Sequence, residues 1–376
     1  MSTPREQVAQ SAAKKLAASA AQVASIQAMV GLDGFVDEII AVVDKWVSPG
    51  RYEPVKTIDA LAAKIARAAG QSSNYELQVK QMKLGGNGPI MANALASLGM
   101  KVTYIGNLGY PTIHPVFADF ARRAQVISIA EPGHTDALEF SDGKLMLGKH
   151  ASLHDVSWEN LVSRVGRDRL AALVNAAQLI GMVNWTMLPH MSRIWSHLID
   201  EVFPALEKRK RTLFVDLADP EKRTAADITD ALRLLTRFAA HADVVLGLNL
   251  KESSSVAEVL GIPVPGEAEG AIEQTARSIR AALDLSCVVI HPRRSAAAAD
   301  AQHSATFLGP FVQEPKISTG AGDHFNAGFC LGRVLGFTLE ESLCCGVATS
   351  GYYVRTADSP TAAQLIQFLS QLPAPQ

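Results

Sequence analysis

The sequence alternates short apolar runs with longer amphipathic or alanine-rich stretches, and this alternation constrains the fold more than any other feature. Short continuous apolar runs are typical of strands buried on both faces of a parallel sheet. Such runs occupy residues 28–31, 102–105, 179–183, 212–215, 243–246 and 287–290. Helical patterns occupy residues 90–98, 191–206, 227–240 and 268–283. We therefore predict an α/β fold in which helices cover both faces of a parallel sheet.

Two segments have a different pattern. Residues 35–47 and 138–147 carry alternating or mixed sequences, and Ser141-Asp142-Gly143 is a hairpin-type turn. These segments predict a small β layer, from about 35–47 and 136–148, that is separate from the main sheet. Residues 1–27 predict an N-terminal helical extension, and residues 28–376 predict one α/β domain.

The composition excludes several classes of protein. The 376 residues include 35 basic and 37 acidic side chains, which gives a formal net charge of −2. Without a basic excess, a dedicated nucleic-acid-binding function is excluded. No run of about 18 uninterrupted apolar residues is present, so no transmembrane helix and no membrane partner are expected. Hydrophobic residues make up 48% of the chain, which is ample for a large core.

The four cysteines predict the compartment. They form no CxxC pair, and two of them are adjacent; they are Cys287, Cys330, Cys344 and Cys345. We predict that all four are reduced core residues of a cytoplasmic protein.

A glycine-rich turn at residues 317–329 carries the most specific chemical signal. Gly320 and Gly322 permit a sharp turn that exposes consecutive N–H groups at the start of a helix. Such a turn, together with the helix dipole, makes an anion site. Asp323 lies beside that site, where its carboxylate can accept a proton from a hydroxyl that attacks a phosphate. The alternative is that Asp323 only caps the helix.

A second glycine-rich turn precedes the helical pattern at 90–98. It contains Gly85, Gly86 and Asn87, and a strand-like run follows the helix. The spacing is not GxGxxG, and no acidic residue ends the following strand. A nicotinamide cofactor, and with it a Rossmann-type oxidoreductase, is therefore not favoured.

The two turns together resemble the signatures of the PfkB/ribokinase family of carbohydrate and nucleoside kinases. The N-terminal signature is matched by Gly85-Gly86, Leu98-Gly99 and residues 105–109. Residues 319–323, Thr-Gly-Ala-Gly-Asp, match the C-terminal signature. Asn249-Leu-Lys-Glu252 and Asp37 match two further elements of the family, and the resemblance covers roughly residues 28–360.

The resemblance implies a ribokinase-like three-layer α/β/α fold with a doubly wound, mainly parallel sheet and a small β lid. It also implies a Mg²⁺-dependent kinase that transfers a phosphoryl group from ATP to a hydroxyl of a sugar or nucleoside. Asp323 would be the general base, and the backbone of Gly320, Ala321 and Gly322 would hold the transferring group. Because the family often dimerises through its lid, a homodimer through this lid is a candidate assembly.

The resemblance assigns the other site residues position by position. Asn249 and Glu252 would organise Mg²⁺ through water, although the same pattern fits a helix capping box. Asp37 would bind sugar hydroxyls, with Asp33 as a second candidate whose alternative role is turn formation. Gly85, Gly86 and Asn87 would approach the substrate closely. Asn184 would point into the same crevice, with a loop cap as its alternative role.

Two departures from the family pattern affect the cofactors. Ile317-Ser318-Thr319 stands where many members have Asp-Thr-Thr, so activation by a monovalent cation is doubtful. Residues 291–296 lack the glycines of the usual nucleotide loop. There His291 and Arg293, or Arg294, are candidates for phosphate binding, and a solvent-exposed basic loop is the alternative.

The glycine-rich turn at 85–90 and the histidine after a strand also resemble ADP-dependent sugar kinases of the same superfamily. ADP is therefore an alternative donor. A catalytically reduced sugar- or nucleotide-binding sensor is a second alternative, which the altered 291–296 loop motivates.

Overall fold

The protein is described by a computed structural model over residues 3–263 and 269–375. In chain order the strands are β1 (Gln27–Leu32), β2 (Phe35–Ser48), β3 (Arg51–Pro54), β4 (Leu77–Gly85), β5 (Lys101–Gly106), β6 (Gln125–Ser128), β7 (Gly133–Phe140), β8 (Gly143–Lys149), β9 (Leu179–Val183), β10 (Thr212–Asp216), β11 (Asp243–Leu248), β12 (Cys287–Ile290), β13 (Ser295–Asp300) and β14 (Ser304–Leu308).

The helices lie between and after these strands. They are α1 (Pro4–Ala18), α2 (Ala20–Val23), α3 (Ile58–Arg67), α4 (Asn87–Ser97), α5 (Ala118–Ala121), α6 (Trp158–Val165), α7 (Arg167–Ala176), α8 (Met191–His197), α9 (Ala225–Phe238), α10 (Leu250–Val259), α11 (Ile272–Leu283), α12 (Ala321–Val334), α13 (Leu339–Thr356) and α14 (Ala362–Ser370). No helix in these two described ranges has the length and apolar character needed to cross a bilayer.

The main sheet has nine strands in the order β14-β13-β12-β11-β10-β9-β1-β5-β6. In this spatial order the seven strands β12, β11, β10, β9, β1, β5 and β6 pair in parallel. Strands β13 and β14 add an antiparallel edge. Strand β1 lies between β5 and β9, where the direction of winding reverses, so the sheet is doubly wound. The predicted class is confirmed, and each predicted apolar run lies in a strand of this sheet.

Side chains of the central strands alternate between two cores. Val244 and Leu246 of β11 contribute to one core, and Val245 contributes to the other. Helices α6 to α11 cover the first face, and helices α1, α4, α5, α12, α13 and α14 cover the second. The result is the three-layer α/β/α arrangement. The buried, unbonded thiols of all four cysteines agree with the prediction that they are reduced core residues.

Two predicted helices differ at their ends. The pattern at 191–206 predicts one helix, but α8 ends at His197 and continues as a π-helical turn (Leu198–Val202) and a 3-10 turn (Phe203–Ala205). Pro204 lacks the N–H group that a continuous α-helix needs, which explains the change. The predicted helix at 268–283 begins at Ile272 in the structure, and residue 268 lies outside the described residues.

The small sheet forms around the long strand β2. Its first half pairs with β4 on one side and with β7 on the other, while β3 and β8 extend the sheet. Strands β7 and β8 form the predicted hairpin, in which Phe140 pairs with Gly143. Sequence patterns did not predict β3 and β4, because their side chains are mostly exposed and neither strand contains a buried apolar run. This sheet has its own core, formed by Ile40, Val42, Val55, Leu61 and Leu138.

Glycines permit an unusually close crossing of α12 and α13. A Cβ atom on Gly328 would lie 2.3 Å from Thr349 Oγ1 and 2.5 Å from the Cys345 carbonyl oxygen. A Cβ on Gly332 would lie 2.8 Å from Ser342 Cα. The crossing fixes α12 against the second core, so it also fixes the turn from which α12 begins.

We therefore expect Gly328→Ala to destabilise the protein by about 3 kcal/mol, since the added methyl group overpacks a rigid crossing. Gly270→Ala is the matched control, because no atom of the described residues lies within 4 Å of its Cβ position. Urea denaturation should place the control within about 0.5 kcal/mol of the parent protein. Equal unfolding midpoints for both variants would contradict the close crossing.

Candidate active site

Polar residues gather where the parallel strands of the main sheet end. Carboxyl ends of parallel strands meet at one edge of the sheet, which is where such folds bind ligands. Each of the six central strands ends at, or is followed directly by, a polar side chain: Asp33, Asn107, Asn184, Asp216, Asn249 and His291. The small sheet lies at the same edge, because β2 follows β1 after a two-residue connection. The site is therefore bounded by this edge, the small sheet and α12.

Asp323 is held at the start of α12. Gly320 caps this helix with a left-handed φ of 87°, and Asp323 lies in the first helical turn with 6% of its surface exposed. Asn87 Nδ2 donates a hydrogen bond to Asp323 Oδ1 at 3.0 Å. Burial, together with the charges of Asp33 and Glu252, raises the pKa of Asp323 to about 8 despite that hydrogen bond. A carboxylate with such a pKa is suited to accept a proton near neutral pH.

Asp33 supports the second glycine-rich turn from behind. Gly88 N–H donates to Asp33 Oδ1 at 2.8 Å, and Asn184 Nδ2 donates to Oδ2 at 2.7 Å. The Tyr104 hydroxyl donates to the Asp33 carbonyl oxygen. The Asp33 side chain is fully buried, and burial raises its pKa to about 6. A Cβ on Gly86, which has a φ of 95°, would lie 2.9 Å from the Asp33 carboxylate.

Asn184 also caps its own loop, which was its alternative role. Its Oδ1 accepts from the Met187 N–H at 3.3 Å, while its Nδ2 is engaged with Asp33. The structure thus brings Asp33, Asn184 and the turn at 85–88 together.

Asp37 lies on β2, on the other side of the same turn. In the register of the small sheet it is opposite Lys83 of β4 and Thr135 of β7. A Cβ on Gly85 would lie 2.5 Å from Asp37 Cγ, so only glycine fits there. Burial raises the pKa of Asp37, although Thr135 and nearby lysines oppose the shift. Unlike Asp33, Asp37 is partly exposed.

The structure adds two residues that the sequence patterns missed, Asp216 and Asn326. Asn326 Nδ2 donates to Asp216 Oδ2 at 2.8 Å, and Ala218 N–H donates to Oδ1 at 2.9 Å. Burial and the charge of Asp323 raise the pKa of Asp216 to about 7. Asp216 follows the predicted run 212–215 directly, so the strand-end rule that selected Asn184 also points to it. Asn326 lies one helical turn after Asp323 and therefore on a similar face.

Asn249 and Glu252 form the capping box that was the alternative interpretation of this pair. Glu252 N–H donates to Asn249 Oδ1 at 2.9 Å, and Asn249 N–H donates to Glu252 Oε2 at 2.8 Å. Glu252 Oε1 accepts from the Asp219 N–H at 3.0 Å. Burial and the charge of Asp216 raise the pKa of Glu252 to about 8. Each carboxylate oxygen keeps a further lone pair, so the box does not exclude contact with a hydrated cation.

Whether these residues suit a metal ion depends on the chemistry of their oxygen atoms. In the part of the chain that the structure describes, no three His, Cys, Asp or Glu side chains are grouped closely enough to hold a metal ion alone. The buried carboxyl groups of Asp216 and Glu252 nevertheless offer oxygen ligands, and their pKa values are raised. Within the described residues, neither carboxyl group accepts a hydrogen bond from a cationic side chain. Oxygen donors are what Mg²⁺ prefers, and Mg²⁺ usually keeps several waters and binds phosphates as well.

A cavity of about 590 Å³ lies on the far side of the Gly320–Gly322 turn. Its size is within the range of small-molecule sites. Its walls are mostly apolar and include Leu250, Pro310, Phe311, Val312, Val347 and Val354. Ala321 and Gly322 form the wall nearest to Asp323 in sequence. The lining does not include Asp37 or the turn at 85–87, so this cavity is distinct from the space beside Asp37 and Gly85, which we call the cleft.

His291 and Arg293 line this cavity, as the phosphate-binding interpretation requires. The His291 ring stacks on Phe325 with centroids 4.6 Å apart, and its Nε2 has no hydrogen-bond partner within the described residues. Burial lowers the pKa of His291 to about 4, so the ring is neutral. Arg293 is exposed, and the Arg294 guanidinium lies 4.5 Å from the Phe311 ring centroid.

The buried carboxyl groups predict that the free energy of unfolding depends on pH. Because the folded-state pKa of Asp323 is raised, the stability of the protein falls as pH rises from about 4 to about 8 through this group. Asp323→Asn keeps the Oδ1 acceptor for Asn87 but cannot carry a charge. We expect its free energy of unfolding at pH 8 to exceed that of the parent by at least about 1 kcal/mol. The difference should shrink towards pH 5, where Asp323 is protonated.

Thermal and urea unfolding of the ligand-free proteins across this pH range measure that difference. Asp119→Asn, which alters an exposed carboxylate, is the control. A stability difference that stays constant with pH would show that the Asp323 carboxyl is not buried in its charged form.

Comparison with known proteins places this geometry among sugar kinases. A family model described as prokaryotic ketohexokinase matches residues 4–372. The chain is 32% identical over 347 residues to a ketohexokinase from Haloferax volcanii. The match covers 91% of this chain and 90% of that protein.

Solved structures of low sequence identity share the fold. A ribokinase from Arabidopsis thaliana, in complex with ribose and ATP, matches with a TM-score of 0.63 and 16% identity over 92% of this chain and 98% of that chain. A phosphofructokinase-2 variant from Escherichia coli matches with a TM-score of 0.64 and 13% identity over the same shares of the two chains. These matches confirm the predicted ribokinase-like fold.

Proposed function

The chain belongs to the prokaryotic ketohexokinase family of carbohydrate kinases, and we propose that it transfers the terminal phosphoryl group of ATP to a hydroxyl of a ketohexose. The predicted class, a phosphotransferase with an alcohol acceptor, is confirmed by this membership. The single observation that supports the mechanism is the position of Asp323. It lies in the first turn of α12, hydrogen-bonded to Asn87, between the cavity and the cleft.

Asp323 is proposed to take the proton from the attacking hydroxyl. The oxygen of that hydroxyl must approach both this carboxylate and the phosphoryl group at the glycine-rich turn, to which it forms the new bond as the bond to the nucleotide breaks. Asp37 and Asn87 are proposed to hold neighbouring sugar hydroxyls, since carboxylate and amide groups match them as hydrogen-bond partners. Gly85 and Gly86 let the sugar approach the backbone closely. Asp33 and Asn184 support the turn from behind through the hydrogen bonds already described.

The turn before α12 is proposed to stabilise the transferring phosphoryl group. The Ala321 N–H donates to the Ser318 carbonyl at 3.1 Å, so the Gly320 and Gly322 amides are the better candidates to face the phosphoryl oxygens. The positive end of the α12 dipole adds to their effect. The nucleotide is proposed to occupy the apolar cavity, where His291 and Arg293 would contact its phosphates.

Mg²⁺ is proposed to bind beside Asn249, Glu252 and Asp216, mainly through its waters. When bound, it would neutralise charge on the nucleotide phosphates. These three residues would hold the ion through its waters. The four buried thiols suit a reducing compartment, and we propose the cytoplasm as the location.

The activity is tested with the purified protein, Mg²⁺, and a panel of ketohexoses, aldohexoses, pentoses and nucleosides, each with ATP or ADP as donor. We expect a sugar phosphate to form from a ketohexose and ATP. Asp323→Asn should lower kcat by about 10²- to 10⁴-fold, the usual effect of removing a general base. Nucleotide affinity, measured by calorimetry, should change less than about threefold because the carboxylate does not face the cavity.

Three outcomes decide between the alternatives. Turnover with ADP alone would identify an ADP-dependent kinase. Sugar binding without any sugar phosphate would favour a sensor. Substantial residual kcat in Asp323→Asn, with Asp119→Asn as the unaffected control, would remove Asp323 from the role of base.

The small sheet is also proposed to form a homodimer. It exposes large apolar side chains that a monomer would leave in water: Trp46, Val79, Met82, Met146 and Leu147 are each between 44% and 51% exposed. Ile39, Ala137 and Met146 lie opposite one another across β2, β7 and β8, which makes one apolar row. Met146 and Leu147 are consecutive on β8 and therefore lie on opposite faces of the sheet. The face that carries the row with Met146 is the one proposed as the contact, since exposed apolar surface of this kind marks protein contacts.

We expect Met146→Glu to convert a dimer to a monomer, because it places a charge in that apolar row. Leu308→Glu alters an equally exposed leucine, 51% exposed, on the edge of the main sheet and should leave the assembly unchanged. Sedimentation or light scattering measures the mass of both variants. A parent protein that is monomeric at high concentration would rule out this interface.

A further inference from the structure

The histidine that follows the proposed base is buried and has no role in the proposed chemistry. His324 lies in the first turn of α12 with 1% of its surface exposed. Its Nδ1 lies 2.8 Å from the Gly320 carbonyl oxygen, and its Nε2 lies 2.8 Å from Ser359 Oγ. The ring therefore joins the glycine-rich turn to the segment between α13 and α14.

The acceptors around the ring determine its tautomer. A carbonyl oxygen can only accept a hydrogen bond, so Nδ1 carries the hydrogen and donates to Gly320. Nε2 then has a free lone pair and accepts from the Ser359 hydroxyl. Burial lowers the pKa of His324 to about 4, which keeps the ring neutral at physiological pH. The Gly320 carbonyl also accepts the His324 backbone N–H at 3.1 Å.

The hydrogen bonds continue beyond Ser359 in the same direction. Asn93 Nδ2 of α4 donates to Ser359 Oγ at 3.2 Å, and the Arg123 guanidinium donates to Asn93 Oδ1 at 3.1 Å. Every donor in this series points towards the Gly320 carbonyl. Hydrogen bonds aligned in this way polarise and strengthen one another. The series therefore starts from a cation and ends at the carbonyl of the anion-binding turn.

A second contact holds the adjacent carbonyl. Tyr353 of α13 stacks on the His324 ring, with centroids 3.6 Å apart and planes 12° from parallel. Its hydroxyl donates to the Thr319 carbonyl oxygen at 2.9 Å. The two carbonyls that precede Ala321 are thus fixed from the protein side. The Thr319 carbonyl shares its peptide group with the Gly320 N–H, and the Gly320 carbonyl shares its group with the Ala321 N–H, which donates to Ser318. These contacts therefore fix the two peptide groups that precede Gly322, and the Gly320 and Gly322 amides take their orientation from them.

We propose that His324 is a positioning residue that aligns the amides of the Gly320–Gly322 turn with the phosphoryl group during transfer. Its effect on catalysis rests on the proposed function, whereas its effect on the turn does not. The turn contacts the phosphoryl group most closely in the transition state, so loss of the alignment lowers kcat more than it raises KM for the sugar.

Three variants of His324 separate the two ring nitrogens. His324→Asn keeps an amide near the position of Nδ1 and can still donate to Gly320. His324→Gln keeps one near Nε2, and His324→Phe keeps only the stacking on Tyr353. We expect kcat to fall about tenfold or more in the Phe variant, which is less than the 10²- to 10³-fold loss when an oxyanion donor itself is removed. The Asn variant should recover most of kcat, and KM for the sugar should stay within about twofold in all three.

The matched control is Ser97→Ala. Ser97 Oγ donates to the Ser359 backbone carbonyl at 3.1 Å, so this change removes a hydrogen bond to the same residue without interrupting the series. We expect its kcat to be unchanged, while Ser359→Ala should lower kcat because it removes the donor to His324 Nε2. A fall in kcat that is equal in Ser97→Ala and Ser359→Ala would assign the effect to general loosening and overturn the proposal.

Hydrogen–deuterium exchange of residues 317–323 decides the question independently of activity. We expect faster exchange in His324→Phe than in the parent and partial recovery of protection in His324→Asn. If the parent forms no sugar phosphate, the proposed function fails, but the exchange result still tests the positioning role. Unchanged exchange in His324→Phe, or unchanged kcat in an active enzyme, would overturn the inference.

Discussion

The hydrogen bond from Asn87 to Asp323 joins the two glycine-rich turns on which the rest of the site depends. The two residues are 236 positions apart in the sequence, and each lies in the first turn of a helix. Both helices begin at a glycine with a left-handed φ, 95° at Gly86 and 87° at Gly320. Two positive helix ends therefore point into one small volume, which favours bound anions there. The close glycine crossing of α12 and α13 keeps one of these ends in place.

The same volume contains carboxyl groups whose hydrogen-bond partners are neutral, and each of them accepts from the side-chain amide of an asparagine. Asn87 pairs with Asp323, Asn184 with Asp33, and Asn326 with Asp216, each at 2.7 to 3.0 Å. An amide donor orients a carboxylate without supplying positive charge, so burial dominates and the pKa values rise. A lysine or arginine in the same position would lower the pKa and weaken the base. These three asparagine partners supply no positive charge to balance the carboxylates, so a bound ligand would have to supply it.

Sequence reasoning located the fold and about half of the site, for an identifiable reason. Apolar runs mark buried strands directly, and the glycine-rich turns mark helix starts, so β1, β5, β9 to β12 and both turns were predictable. Strand β4 was not, because it mixes polar residues with apolar ones such as Val79 and Met82 that are themselves exposed, so no buried apolar run marks it. Asp216 was missed although it follows a predicted strand. Its partner Asn326 is separated from it by 110 positions, a distance that no local pattern spans.

The structural contexts of Asp33, Asn184 and Glu252 also required three-dimensional information. Each has a plausible local role as a turn, loop or helix cap. The structure shows the local hydrogen bonds of Asn184 and Glu252, whereas Asp33 accepts from Gly88, 55 positions further along the chain. What the sequence does not show is that the caps are buried at one sheet edge, where a capping carboxylate also contributes to the field around Asp323. Local and functional roles are therefore not exclusive at this edge, since one carboxylate oxygen has lone pairs for both.

A site that concentrates uncompensated carboxyl groups needs stability from elsewhere in the protein. Asp323 lies on a helix that is buried along most of its length, between the parallel sheet and α13. Such a helix resists local opening, because its motion would expose a large part of the core. The side of the turn that carries carbonyl groups is closed by Tyr353 and His324. Only the amide side of the turn remains open to a ligand. Negative charge on that ligand therefore meets hydrogen-bond donors that are already oriented. Little reorganisation of these donors is then needed during the transfer step.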